Sequence, residues 1–254
     1  MTSQLARYVA IGDSTAEGYG DPDGNGGYRG FGDRLAERIA AHQGGLLYAN
    51  LAVRGLGARA IRAGQLEQAL AMRPDLATIM AGMNDLLRPR FDADAIAAEI
   101  AAMQRALVAG GCAVISFTLP DVAHRLAPPP FATLVSRRTH RLSDAIRAAS
   151  ADTGALLVDL GAYPFAADPR MWTVDRLHAS PESHARIAAA CAEALALPGA
   201  DGRWRTPPDD ARTDRWRDNL AWGRAHLVPW LWNRARGRSA ADHHSAKRPA
   251  LAPV

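Results

Sequence analysis

Hydrophobic positions over the first 200 residues alternate between two patterns. Short aliphatic or β-branched runs fall at residues 8–11, 46–51, 76–80, 113–119 and 155–160. Between them lie stretches rich in Ala, Leu, Arg and Glu with helical spacing, as at 31–42, 93–109, 133–151 and 181–197. Within 93–109, Ile96, Ile100, Met103 and Leu107 recur every three or four positions, so one helical face is apolar. Five strands alternating with helices predict an α/β fold with a mostly parallel sheet. Crossovers in such a sheet are right-handed, and helices cover both faces.

Two segments break the rhythm. Residues 18–32 hold seven glycines and read as a loop ahead of a helix. Residues 120–131 contain Pro128, Pro129 and Pro130, which demand a stiff extended connection. Both follow predicted strand ends and are read as walls of a pocket. After Pro198-Gly199 glutamate vanishes, and five of the six tryptophans follow. A boundary is placed there, giving a domain over 1–198, a Trp/Arg-rich helical extension over 199–235 and a disordered basic tail over 236–254.

Composition narrows the function classes. The chain has 254 residues, 48% hydrophobic and 22% charged, as in ordinary globular proteins. No apolar run approaches the ~18 residues of a membrane-spanning helix. The first seven residues carry no apolar core of signal-peptide length, so the expected location is the cytoplasm. Cys112 and Cys191 are then expected to be reduced and to pack as small hydrophobes. Residues 201–254 hold 11 Lys+Arg and 6 Asp, whereas the first 200 hold 19 Lys+Arg and 20 Asp+Glu. The basic character therefore belongs to the tail, and the body gives no reason to expect a polyanion.

In open parallel sheets, ligands bind beyond the carboxyl ends of the strands. Gly12-Asp13-Ser14 follows the first run, Asn50 through Gly55 the second, and Gly82-Met83-Asn84-Asp85 the third. Asp175-Arg176-Leu177-His178 comes after the fifth, past a loop. Together these supply a hydroxyl, a small backbone amide, a carboxamide and a carboxylate–imidazole pair, the parts acyl transfer requires.

Those four motifs, in this order over roughly residues 8–195, resemble the SGNH (GDSL) hydrolase family. The resemblance implies a flavodoxin-like domain of three layers, α/β/α, around a five-stranded parallel sheet, which hydrolyses esters through an acyl-enzyme on a serine, with no metal and no organic cofactor; short acyl groups are expected because the sequence shows no long apolar lid. It implies Ser14 as nucleophile, His178 as general base and Asp175 as the group orienting the imidazole. It also implies an oxyanion hole made of the Ser14 and Gly55 backbone N–H groups and the Asn84 side chain, with Gly57 a rival for Gly55. Ser180-Pro181 suits a cap and first helical position just behind His178. Asp13 and Asp85 are expected to brace loops, with Asp13 a lesser competitor of Asp175. His184 reads as a structural or exposed histidine, and Arg54 as a solvated arginine or a contact for an anionic substrate. Trp172 reads as half-buried packing or as a stacking surface for substrate.

No phosphate-binding glycine pattern or zinc spacing is present, and the sole lysine, Lys247, lies in the tail. The expected partner is a small-molecule ester rather than nucleic acid. Residues 214–232 can form an amphipathic helix that packs on the domain or lies on an anionic membrane surface. The competing function class is a non-catalytic binding or scaffold module on the same fold.

Overall fold

The structure is a computed structural model; it describes residues 4–123, 130–163, 166, 168–207 and 244–254. The predicted extension helix over 214–232 lies outside the described residues, as do residues 124–129 of the proline loop.

Strand β1 (Arg7–Gly12) shows why the sheet sits at the centre. Tyr8 and Ala10 point into one apolar cluster, Val9 and Ile11 into another, and all four are fully buried. Successive strand side chains face opposite sides, so a strand apolar at every position must be covered on both. The remaining strands are β2 (Leu47–Asn50), β3 (Leu76–Met80), β4 (Ala113–Phe117), β5 (Leu156–Val158) and β6 (Arg248–Pro253). Their order is β5-β4-β3-β1-β2-β6. Strands β1 to β5 are parallel, and β6 runs antiparallel to β2.

Seven α-helices are described: α1 (Ser14–Glu17), α2 (Gly30–Gln43), α3 (Ala58–Ala71), α4 (Met83–Leu86), α5 (Ala93–Ala109), α6 (Phe131–Thr153) and α7 (Pro181–Ala194). Phe31, Leu35 and Ile39 of α2 and Ile187 and Cys191 of α7 share one cluster. Ile61 of α3, Ile100 and Leu107 of α5 and Leu142 and Ile146 of α6 share the other. Caps set several helix ends. Asp92 accepts from the Asp94 and Ala95 N–H groups, and Ser180 accepts from Ser183 N–H with Pro181 at the first turn. Both cysteines are buried and unpaired. No helix among the described residues is long and apolar enough to cross a membrane.

One expectation is corrected. The sheet has six strands rather than five and is mixed, because residues 248–253 lie against β2, a segment expected to be disordered. Its Arg-Pro-Ala-Leu-Ala-Pro sequence has few aliphatic side chains and two prolines. Proline is tolerated at a sheet edge, where one side of the strand needs no ladder donor. The strand covers what would otherwise be an open edge of β2.

In this order the chain leaves β1 in opposite directions toward β2 and β3. The crevice beyond the carboxyl ends of β1 and β3 is therefore the switch point of the sheet.

Candidate active site

Strand β1 ends on Gly12, whose φ is +151°; a Cβ there would lie 2.3 Å from the Met80 carbonyl oxygen. Only glycine lets β1 and β3 pack this closely at the turn. The buried Gln65 of α3 clamps the same residue. Its Oε1 accepts from Gly12 N–H at 2.7 Å, and its Nε2 donates to the Gly12 carbonyl at 2.9 Å. The chain then turns sharply. Asp13 caps α1 by accepting from Thr15 N–H at 3.1 Å, and Ser14 is the first helical residue, 9% exposed.

The loop after β3 meets this turn. Asn84 Nδ2 donates to Asp13 Oδ2 at 3.2 Å and to the Leu56 carbonyl at 3.1 Å. Asp85 Oδ2 accepts from Ala58 N–H at 2.9 Å, joining the same loop to the start of α3. Asp13 and Asp85 thus brace loops as expected. Gly57 has a packing reason to be glycine, since a Cβ there would lie 2.3 Å from Asp85 Oδ1. Gly55 instead holds a left-handed φ of +81° at the bend itself. Among the described residues, neither Ser14 N–H nor Gly55 N–H donates to any protein acceptor. Burial pushes the Asp13 carboxyl up to about 7, against the opposing pull of Thr15 N–H and His178, with nearby Asp85 adding to the rise.

The third component is the loop between the turn at Pro169–Met171 and α7. His178 Nδ1 lies 2.7 Å from Asp175 Oδ2. The other oxygen, Oδ1, accepts from Leu177 N–H at 2.9 Å, His178 N–H at 3.1 Å and the Thr173 hydroxyl at 2.6 Å. Burial alone would raise the Asp175 carboxyl. The His178 bond and charge, with the Thr173 and Leu177 donors, hold it well below the carboxylate range instead. An ionised carboxylate only accepts, so a neutral imidazole in this place carries its hydrogen on Nδ1 and its lone pair on Nε2. Arg176, at the loop tip, takes a positive φ of 59°, and Ser180 N–H and hydroxyl both bond back to the Met171–Arg170 segment. Loop and helix start therefore hold His178 from both sides.

Tyr19 joins the two halves. Its N–H donates to the Ser14 carbonyl at 3.0 Å, and its ring packs edge-on against His178 at 4.4 Å between centroids. No hydrogen bond joins the Ser14 and His178 side chains among the described residues; catalytic hydrogen bonds are often long before substrate arrives. Arg54 is neither solvated nor free to meet an anion. It pairs with Glu17 through Nε and Nη2 and stacks over Tyr19 at 4.3 Å. Trp172 is half-buried, with its indole N–H on the Ala166 carbonyl at 2.6 Å. His184 is fully buried and structural: Nδ1 accepts from Phe31 N–H and Nε2–H donates to the Tyr19 carbonyl, each at 3.2 Å.

Gln65, Glu17 and Tyr19 carry no chemical signal along the chain, and only their contacts reveal them. A cavity of about 50 Å³ adjoins the turn; Asp13, Thr15, Met83, Leu119, Met171 and Trp172 help to line it. A serine at a tight strand–helix turn, an aligned Asp–His pair and two backbone amides without an acceptor among the described residues are thus gathered at one rim of a flavodoxin-like sheet, an arrangement of the hydrolase class.

Comparison with known proteins gives this class its family. Residues 10–186, more than half of the chain, match the GDSL-like lipase/acylhydrolase family, and the chain belongs to it as an esterase or acylhydrolase. Among solved structures it is similar to Axe2, an acetylxylan esterase from Geobacillus stearothermophilus (TM-score 0.63, 20% identity, 80% of this chain and 100% of that one). It is also similar to the psychrotrophic esterase EstA from Pseudoalteromonas sp. (TM-score 0.59, 17% identity, 75% and 96%). TesA is a third likeness (TM-score 0.60, 21% identity, 74% and 97%). At these identities the likeness is one of fold. A comparison with the curated proteins finds no match.

Proposed function

We propose that the protein is a serine hydrolase that cleaves carboxylic esters of short acyl chains through an acyl-enzyme. The observation that carries this reading is the 2.7 Å Asp175–His178 pair, which frees Nε2 on a ring held against the residue bonded to Ser14. Ser14 Oγ attacks the ester carbonyl while His178 Nε2 takes its proton; Asp175 fixes the tautomer and stabilises the imidazolium. The negative charge that develops on the former carbonyl oxygen meets Ser14 N–H, Gly55 N–H and Asn84 Nδ2. His178 returns the proton to the leaving alcohol, and water then releases the acyl group with the same residues. Because Asn84 Nδ2 donates to Asp13 and Leu56 before substrate binds, one of those bonds yields to the oxyanion.

Two further points support the reading. Catalytic mutants of Axe2 were solved with a serine or a histidine replaced by alanine, the residue types at Ser14 and His178 here. A cavity lined in part by Asp13 and Thr15 lies beside the turn that carries Ser14. The test is labelling with a fluorophosphonate probe together with p-nitrophenyl ester hydrolysis. Labelling that vanishes in Ser14→Ala supports the reading; full hydrolysis by that variant overturns it, and failure of the unaltered protein to label would favour a scaffold.

A further inference from the structure

The C-terminal strand reaches the catalytic cleft through the chain's sole lysine. Lys247 Nζ donates to the Tyr28 carbonyl at 2.8 Å, to the Arg29 carbonyl at 2.7 Å and to Asp33 Oδ2 at 2.5 Å. An ammonium has three hydrogens, so all of its donors are spent on one short stretch. That stretch ends the glycine loop and begins α2. It also carries Tyr28, whose ring packs on Tyr19 at 4.9 Å and lies 5.3 Å from the Arg54 guanidinium. Tyr19 in turn packs on the His178 ring. The loop presses closely on the other side as well, since a Cβ on Gly20 would lie 2.3 Å from the Ala179 carbonyl oxygen. A continuous path of contacts thus runs from Lys247 through Tyr28 and Tyr19 to His178.

The position of this wall says which part of a substrate it meets. In the proposed reaction His178 returns a proton to the departing alcohol, so the alcohol must leave on the His178 side. The aromatic surface of Tyr19 and Tyr28 is therefore the alcohol wall, and the acyl group lies away from it. We propose that Lys247 is a positioning residue that braces this wall, so that the C-terminal strand sets selectivity for the alcohol half of the ester. This rests on the serine-hydrolase reading for its kinetic part only.

Lys247→Met removes the charge and keeps most of the length. The comparison variant is Gln68→Ala, which cuts a different tie of the strand, the 2.7 Å bond from Gln68 Nε2 to the Pro249 carbonyl, without touching the loop. Hydrogen exchange over residues 18–30 is expected to quicken at least tenfold in Lys247→Met and not in Gln68→Ala. The kcat/KM ratio of 2-naphthyl acetate to p-nitrophenyl acetate is expected to shift at least fivefold in Lys247→Met. The ratio of p-nitrophenyl butyrate to acetate is expected to stay within twofold. Unchanged exchange, an unchanged alcohol ratio, or an equal shift of the acyl ratio would overturn the inference. If Lys247→Met does not fold, Lys247→Arg decides by the same readings, because a planar guanidinium cannot direct three donors to the same acceptors. The exchange arm needs no ester. If the unaltered protein cleaves none, the function reading falls, and exchange alone still decides the brace.

Discussion

The loop that carries His178 and the first turns of α7 that carry His184 lie six residues apart, and both touch Tyr19. Their imidazoles are used in opposite ways. His184 has no exposed surface and gives both nitrogens to backbone groups, leaving nothing for chemistry. His178 keeps 26% of its side chain exposed, binds a carboxylate through Nδ1 and has no partner on Nε2 among the described residues. A general base needs a free lone pair and a partner for the charge it gains; a structural histidine needs every polar atom satisfied. The residue type is the same, and the hydrogen-bond partners decide the role.

Substitution at the two histidines is the sharpest way to break that contrast. Ser14→Ala and His178→Ala should each lower kcat on p-nitrophenyl acetate by about 10⁴-fold or more with the melting temperature little changed. His184→Leu should do the reverse. It orphans Phe31 N–H and the Tyr19 carbonyl, at about 1–3 kcal/mol each, and should leave turnover within severalfold at temperatures where the variant is folded. Denaturant melts paired with turnover would read both. Comparable activity loss at both histidines would erase the distinction.

Asp175→Asn comes next, with a loss of up to about 10⁴-fold in kcat, because an amide no longer dictates the tautomer or meets the imidazolium charge. Asn84→Ala should cost about 10²–10³ in kcat with a smaller change in KM, since its amide matters most once the oxyanion forms. An Asn84→Ala variant that loses only KM would place that amide in ground-state binding.

The smallest effect is a pH dependence. Burial pushes His184 down to about 4, so the folded protein keeps it neutral where the unfolded chain would protonate it. Its stabilising contribution is present above about pH 6.5 and is lost as pH falls toward 4. The stability cost of His184→Leu should therefore shrink as pH drops through that window. Asp13 acts with the opposite sign. Its raised value favours the fold at low pH, and that contribution is lost as pH rises from 3.8 to about 7. The difference between wild type and His184→Leu, measured by urea melts at pH 7 and pH 4.5, isolates the histidine. A constant difference would mean that His184 titrates normally in the fold.

Much of the proposed site was legible along the chain, because acyl transfer restricts residue types and each motif sits at a strand end. Ser14, Asn84, Asp175 and His178 were all visible in this way. The Ser180-Pro181 cap was legible for a local reason, since a helix start is set by a few neighbouring residues. Strand β6 was not, because an edge strand needs pairing on one side only and tolerates the prolines that elsewhere signal disorder. Nor was the glutamine clamp on Gly12, whose two residues are separated by 53 positions.

What the chain by itself determined is the alternation of buried strands and amphipathic helices and the chemical types gathered at one rim. Hydrophobic period and side-chain reactivity are properties of short segments, and they survive without any knowledge of neighbours. Tertiary structure decided which histidine is free, which glycine bends and which is merely crowded, and that Lys247 reaches the cleft wall. Those are matters of who touches whom across long loops, and the distance between two atoms is set only when the whole sheet and its covering helices have packed.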